Sequence, residues 1–167
     1  NKVIVKPINL KKSTAKELQD NSLLFRLGDR EHSKGILQSQ IKSINQSNQT
    51  TILALHKAKE LAIEMYDSLK ENDLTKFSDI LNRGWEAKRN YTKGITNKRI
   101  EMISKKAIEN GAKALKVTGA GGGGHFFIYA NPSKHNSIIK SLKKLGVNNV
   151  DFKYQNQGAK VFEINNL

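Results

Sequence analysis

A chain of 167 residues with 37% hydrophobic content is long enough for one compact domain, and its clear periodic segments exclude a disordered or fibrous polymer. No apolar run approaches the ~20 residues needed to span a bilayer, and the absence of cysteine excludes a disulfide framework and any thiolate zinc or redox site, which fits a reducing compartment and makes the cytoplasm the expected location. The net charge of +14 raises nucleic acid or an anionic membrane as a partner, but Lys outnumbers Arg 24 to 5 and is spread over solvated faces, so a Lys-, Asn- and Ile-rich composition explains the charge equally well.

In chain order, Asn1-Lys2-Val3-Ile4-Val5-Lys6 has neither an initiator Met nor a signal-like apolar region. It opens inside an alternation, Val3 to Ile8, that predicts a strand and suggests a piece of a longer protein. Thr14-Ala15-Lys16-Glu17 has the form of a capping box that starts a short helical turn. Leu23 to Leu27 predicts a second strand. Ile36, Leu37, Ile41 and Ile44 keep helical spacing over Ser33 to Asn45, and Ile52, Leu55, Ala58, Leu61, Ala62, Met65 and Leu69 keep it over a longer stretch. Asp73 is placed to cap a helix carrying Leu74, Phe77, Ile80, Leu81 and Trp85. Asn97 is placed to cap another, carrying Ile100, Ile103, Ala107 and Ile108, which ends at Asn110-Gly111 as a left-handed C-cap.

The last third changes character. Ala114 to Thr118 and His125 to Ala130 are strand-like and flank Gly119-Ala120-Gly121-Gly122-Gly123-Gly124. Asn131-Pro132 is a helix start with Pro at the first helical position, for a helix carrying Ile138, Ile139 and Leu142 that stops at Leu145-Gly146. Val150 to Tyr154 and Lys160 to Ile164 predict a closing hairpin. The succession predicts an α+β fold: a single domain over residues 1–167, with a mainly antiparallel sheet and helices packed on one face.

Five glycines in six positions, 119–124, remove every side chain but one methyl group and let the backbone approach a ligand or another loop closely. A Walker loop needs Gly-Lys-Ser/Thr leading into a helix, and a dinucleotide fingerprint also runs from strand into helix; here the chain continues as a strand. The remaining readings are a flexible hairpin connection and a ligand-facing loop. Trp85, four or five residues after Ile80 and Leu81, reads as core before it reads as a platform for a sugar face. The four His residues show no metal-ligand spacing, and no nucleophilic triad or metal site is evident.

Leu115-Lys116-Val117-Thr118-Gly119-Ala120-Gly121-Gly122-Gly123-Gly124-His125-Phe126 resembles the third conserved motif of the GHMP kinases, the superfamily of galactokinase, homoserine kinase and mevalonate kinase. Gly84-Trp85-Glu86-Ala87-Lys88-Arg89, followed by Gly94-Ile95-Thr96-Asn97-Lys98-Arg99-Ile100, is similar to the branch that phosphorylates D-glycero-D-manno-heptose 7-phosphate, as is the closing Gln157-Gly158-Ala159-Lys160-Val161. The resemblance implies the ferredoxin-like C-terminal domain of an ATP-dependent sugar kinase used in activated-heptose and surface polysaccharide synthesis. It also implies that Gly119, Ala120, Gly121, Gly122, Gly123 and Gly124 face the phosphate loop and substrate, and that Lys88, Arg30 and Arg89 are candidate contacts for a substrate phosphate.

Related kinases carry an Arg in a turn like Gly28-Asp29-Arg30; here Arg30 is shifted by about one position. In the family the catalytic Asp and the Gly/Ser-rich phosphate loop belong to an N-terminal ATP-binding domain, and no Gly-Leu-Gly-Ser-Ser-like segment occurs in this sequence. The expectation is that ATP and Mg²⁺ are held mainly by that other half in cis, and that this chain alone is inactive. The competing reading is a basic RNA-binding α+β module using Phe126, Phe127 and Tyr129. It lacks the aromatic-Gly signature of the common RNA sheet modules, and adjacent Phe126 and Phe127 must point to opposite sheet faces.

Overall fold

The computed structural model describes residues 4–28 and 33–155. In chain order the elements are α1 (Lys12–Asp20), β1 (Ser22–Gly28), α2 (Ser33–Asn45), α3 (Gln49–Glu71), α4 (Leu74–Arg89), α5 (Lys98–Glu109), β2 (Ala112–Val117), β3 (Gly124–Ala130), α6 (Pro132–Lys143) and β4 (Asn148–Val150). The strands form one antiparallel sheet in the order β2-β3-β1-β4. This is the split βαβ arrangement of ferredoxin-like folds, enlarged by the helices between β1 and β2. The expectation of an α+β fold with an antiparallel sheet holds, but the helices cover both faces rather than one. This is because β2 and β3 alternate apolar side chains to either side, α5 and α6 packing on one and α1 and α4 on the other.

The helices begin where the sequence places its caps. The Asp73 side chain accepts from Lys76 N at 2.9 Å, Asn97 from Ile100 N at 3.0 Å and Asn131 from Ser133 N at 2.9 Å, each satisfying a donor that the first helical turn cannot satisfy itself. Asn48 does the same for α3 through Thr51 N. Asn72, in the left-handed conformation, ends α3, and its side chain accepts from Lys11 N at 2.9 Å. A two-residue turn therefore folds α3 back onto α4.

Alternation along β1 and β3 divides the core. Leu23, Phe25 and Leu27 share a face with Phe126, Ile128 and Ala130, and this face is covered by Ile100, Ile103 and Ala107 of α5 and by Ile138 and Leu142 of α6. Each fully buried large side chain here contributes roughly 1.5–3 kcal/mol relative to exposure. On the other face Ala114 and Tyr129 meet Leu18 of α1 and Leu74 and Phe77 of α4, with Phe77 edge-on to Tyr129 at 5.4 Å between ring centroids. Phe126 and Tyr129 are buried and Phe127 packs against this second cluster, so these three aromatics present no open stacking surface.

Four further expectations need correction or relocation. Of the Val3 to Ile8 strand, residues 4–8 are described and are not a strand. α4 lines the free edge of β2, where the Asn82 side chain donates to Lys113 O at 2.8 Å and accepts from Leu115 N at 3.2 Å, and Pro7 lacks a ladder donor. Thr14 is not a cap: α1 starts at Lys12 with extended Lys11 before it, and Thr14 is buried inside the helix. The last strand lies at Asn148–Val150 and pairs with β1, because beyond Val150 the Gln19 side chain takes over the backbone of Phe152 and Tyr154; Lys160 to Ile164 lies outside the described residues. α2 forms as predicted, yet of its apolar positions only Ile36 is buried, while Leu37, Ile41 and Ile44 are exposed.

Candidate active-site loop

The glycine segment joins β2 to β3. Val117 pairs with Phe126, and Thr118 N donates to His125 O at 2.9 Å, which closes the ladder beneath the loop. Beyond this point Gly119, Gly121, Gly122 and Gly124 all have positive φ, from 73° to 106°, a path that side chains resist.

The loop does not stand free. Gly122 N donates to Ile95 O at 2.8 Å, and Asn97 Nδ2 reaches Gly122 O at 3.4 Å. A Cβ on Gly121 would lie 2.9 Å from Ile95 Cα and 3.0 Å from Ile95 O; one on Gly122 would lie 2.6 Å from Ile36 Cδ1 and 3.1 Å from Gly94 O. The absent side chains thus bring the loop backbone into contact with the α4–α5 connection. Gly121, Gly123 and Gly124 are buried, Ala120 is half-buried and Gly119 is exposed, so the loop presents its first two residues outward.

Lys88, in the last turn of α4, is only 8% exposed. Its Nζ donates to Val117 O at 2.9 Å and to Gly119 O at 2.5 Å. Burial first, and repulsion from Lys116 second, pull its pKa down to about 8. The two carbonyls favour the charged form and act against that shift. Lys116, on β2, is also pulled down by burial. Its side chain helps line a 240 Å³ cavity with Ala58, Leu61, Ala62 and Met65 of α3 and Ile80, Leu81 and Gly84 of α4.

The other candidate cations are placed differently. Arg89 pairs with Glu86 at 2.9 Å and with Glu101 at 2.8 Å, and Glu101 also accepts from Thr96 Oγ1 at 2.5 Å. Its guanidinium therefore ties α4 to the first turn of α5, where a carboxylate is favoured by the helix dipole. Arg30 lies outside the described residues. Trp85 is 3% exposed and belongs to the main core. His125 is half-buried, and its carbonyl accepts from both the backbone and the hydroxyl of Thr118. Among the described residues no group of three or more His, Asp or Glu side chains could hold a metal ion, and no helix is long and apolar enough to cross a membrane.

Two participants escaped the sequence reading. Ile95, 1% exposed, is the pad on which the loop rests, and Asn82 holds the outer edge of β2. An Asn facing inward in the middle of a helix was the available signal for the second. An apolar residue in a short connection gave none for the first.

Residues 65–148, half of the chain, match the family model described as "GHMP kinases C terminal". Across 98% of its length the chain is 31% identical to the D-glycero-alpha-D-manno-heptose 7-phosphate kinase of Campylobacter jejuni, and it spans 48% of that protein. Its fold is similar to that of a D-glycero-D-manno-heptose 1-phosphate kinase from Bacteroides thetaiotaomicron, with a TM-score of 0.62, 24% identity and coverage of 96% of this chain and 42% of the other. It is also similar to L. major mevalonate kinase solved with R-mevalonate, with a TM-score of 0.66, 19% identity and coverage of 83% and 40%. The chain thus spans about half the length of the curated Campylobacter jejuni relative.

Proposed function

The chain belongs to the GHMP kinase family and carries its C-terminal domain, and from this premise we propose that the complete protein transfers the γ-phosphoryl group of ATP to the anomeric hydroxyl of D-glycero-D-manno-heptose 7-phosphate. The observation that carries the reading is a convergence. The segments 84–89 and 94–100, far apart in sequence from the glycine loop, supply its contacts through Lys88, Ile95 and Asn97. The heptose assignment is supported by the similarity to the Campylobacter jejuni enzyme along nearly the whole chain.

Phosphoryl transfer needs little covalent chemistry from the protein; it needs two anionic reactants held in line in a site that neutralises charge. The Gly119-Ala120 tip is exposed at Gly119 and half-buried at Ala120, carries no bulk beyond one methyl group and sits over the positive charge of Lys88. It suits one wall of such a cleft. ATP and Mg²⁺ would be held mainly by the N-terminal half in cis, which would also supply the catalytic Asp; the present residues add backbone approach and charge, not a metal cage. Of the candidate phosphate contacts, Lys88 would act on an anion through its field and Arg89 after releasing a carboxylate, while Arg30, outside the described residues, stays a candidate on the resemblance alone. The product would feed a nucleotide-activated heptose for surface polysaccharide, made in the cytoplasm.

The test is ADP formation by the complete protein and by this chain, side by side, against heptose and hexose phosphates with Mg-ATP. Turnover by the complete protein alone, fastest on the heptose 7-phosphate, is the expected result. Preference for another sugar would move the protein to another branch of the family. Silence on every sugar would remove the functional reading, and activity of this chain alone would refute the division of labour.

A further inference from the structure

We infer that Lys88 is the positioning residue of the glycine loop: from the end of α4 its ammonium grips the carbonyls of Val117 and Gly119 and so fixes the direction in which the loop tip presents its backbone donors. This inference rests on the kinase reading for its catalytic consequence, but not for its geometry.

The argument follows from the planarity of the peptide unit, in which the C=O of one residue and the N–H of the next point in opposite directions. Val117 O points to Lys88 Nζ at 2.9 Å, and the N–H of the same unit, on Thr118, points the other way and donates to His125 O at 2.9 Å. The next gripped unit repeats the pattern. Gly119 O is held at 2.5 Å by the same ammonium, so the Ala120 N–H is turned away from α4. Unlike Thr118, Ala120 has no backbone acceptor among the described residues. One lysine thus orients two peptide units, committing the first to the ladder beneath the loop and leaving the second, on half-buried Ala120, with a donor that has no backbone acceptor among the described residues.

The surroundings make this role costly to supply by accident. Lys88 is buried and, among the described residues, has no carboxylate partner; Glu86 and Glu101 are engaged with Arg89. Lys116, from β2, adds repulsion. Only the two carbonyls offset the desolvation of the ammonium. A neutral hydrophobe would satisfy the packing of α4 on β2 with less penalty, whereas a cation both holds the loop and leaves positive potential under its tip. At φ of 73° and 106°, Gly119 and Gly121 have no intrinsic preference for the observed path, so the orientation must come from contacts such as this one.

The experiment uses the complete protein as wild type, Lys88→Met and Lys88→Arg. Backbone hydrogen exchange is followed in peptides covering 117–125, and kcat and KM are measured for the sugar phosphate that the wild type prefers. Lys88→Met is expected to exchange about tenfold faster in that peptide while α5 and α6 keep their protection, a local opening of the kind that low-stability segments show. It is expected to lose about 10²-fold in kcat with little change in KM, as misplacement of a positioning element does. Lys88→Arg, which keeps the charge and two donors, is expected to restore part of both. Unchanged loop exchange in Lys88→Met overturns the inference. So does a rise in KM with kcat intact, which makes Lys88 a direct substrate contact. If Lys88→Met does not fold, Lys88→Gln replaces it under the same criteria. Should the wild type phosphorylate no sugar, the kinase reading falls and the exchange measurement alone decides the grip.

Discussion

Replacing Gly121 by Ala tests whether the glycines of the loop are required by contact with Ile95 or only by backbone conformation. Gly121 has φ of +106°, and its Cβ would meet backbone atoms, Ile95 Cα at 2.9 Å and Ile95 O at 3.0 Å, that cannot swing aside. Gly28, with φ of +126°, has nothing within 4 Å of its Cβ. Gly28→Ala therefore measures the conformational penalty alone, about 1–2 kcal/mol for a side chain at positive φ. Gly121→Ala adds the displacement of the loop from the α4–α5 connection, which strains or breaks the 2.8 Å bond from Gly122 N to Ile95 O, itself contributing about 1 kcal/mol. The sum is about 2–3 kcal/mol, a large part of the roughly 5–15 kcal/mol of a typical domain. At about 2–4 °C per kcal/mol for this size, thermal unfolding followed by circular dichroism should place Gly121→Ala several degrees below Gly28→Ala. Equal midpoints for the two variants would refute the claim that Ile95 holds the loop.

Other substitutions should separate packing from loop function. Gly122→Val in the complete protein, at φ of 73°, meets Ile36 Cδ1 at 2.6 Å and Gly94 O at 3.1 Å, so it should lower stability by at least about 1–2 kcal/mol and, in the molecules that remain folded, lower kcat by about 10²-fold through loop displacement; unchanged steady-state kinetics would take the loop out of the mechanism. Trp85→Ala should cost about 3–5 kcal/mol as a core truncation, read by chemical denaturation, and a loss of activity with full stability would instead return Trp85 to the substrate. Arg83→Met breaks a two-point pair with Glu64, 2.7 and 3.0 Å, between α4 and α3; since the pair is solvent-screened, the denaturation midpoint should fall only slightly, and the difference from wild type should shrink in high salt. Lys88 predicts a pH signature. Its folded pKa of about 8 lies below the ordinary 10.5, so between those values the unfolded chain binds more protons and the Lys88 contribution to stability rises with pH. Denaturation midpoints of wild type relative to Lys88→Met should therefore improve from pH 7 to pH 9.5, and parallel curves would contradict the shift.

What could be read from the sequence was what short-range chemistry decides. Asp73, Asn97 and Asn131 cap the helices they were expected to cap, because a side-chain oxygen and an amide two or three residues on need no distant partner. Gly111 and Gly146 have the positive φ expected after α5 and α6. The failures are non-local. Val3 to Ile8 alternates as a strand does, but alternation says nothing about whether a sheet edge is free, and α4 has taken the free edge of β2. Thr14 fits a capping box by pattern, yet Asn72, 61 residues from Lys11, receives the Lys11 amide and the helix starts at Lys12. Lys88 was legible as a cation near the glycine motif, whereas its acceptors were not, since nothing in a helix sequence names the carbonyls across from it.

α4 ties the loop and its surroundings into one structural unit. Its Asn82 takes the place of a fifth strand at the edge of β2, bonding Lys113 O and Leu115 N. One and two turns later its Trp85 fills the main core and its Lys88 takes Val117 O and Gly119 O. The same face of one helix therefore follows β2 from its middle to the start of the glycine loop. Because Arg89 then fastens the end of α4 to Glu101 of α5, and Asn97 at the start of α5 reaches Gly122 O, the chain closes a circuit: loop, α4, α5 and loop again. A displacement of α4 along β2 would shift Lys88 against the carbonyls it grips while the Ile95 pad stayed with α5. The loop is thus sensitive to the register of α4 on the sheet, and Asn82→Leu, which removes the register-setting amide at the β2 edge, should increase hydrogen exchange in residues 117–125 as well as at that edge. An effect confined to the edge would show that Lys88 and Ile95 hold the loop without help from the rest of α4.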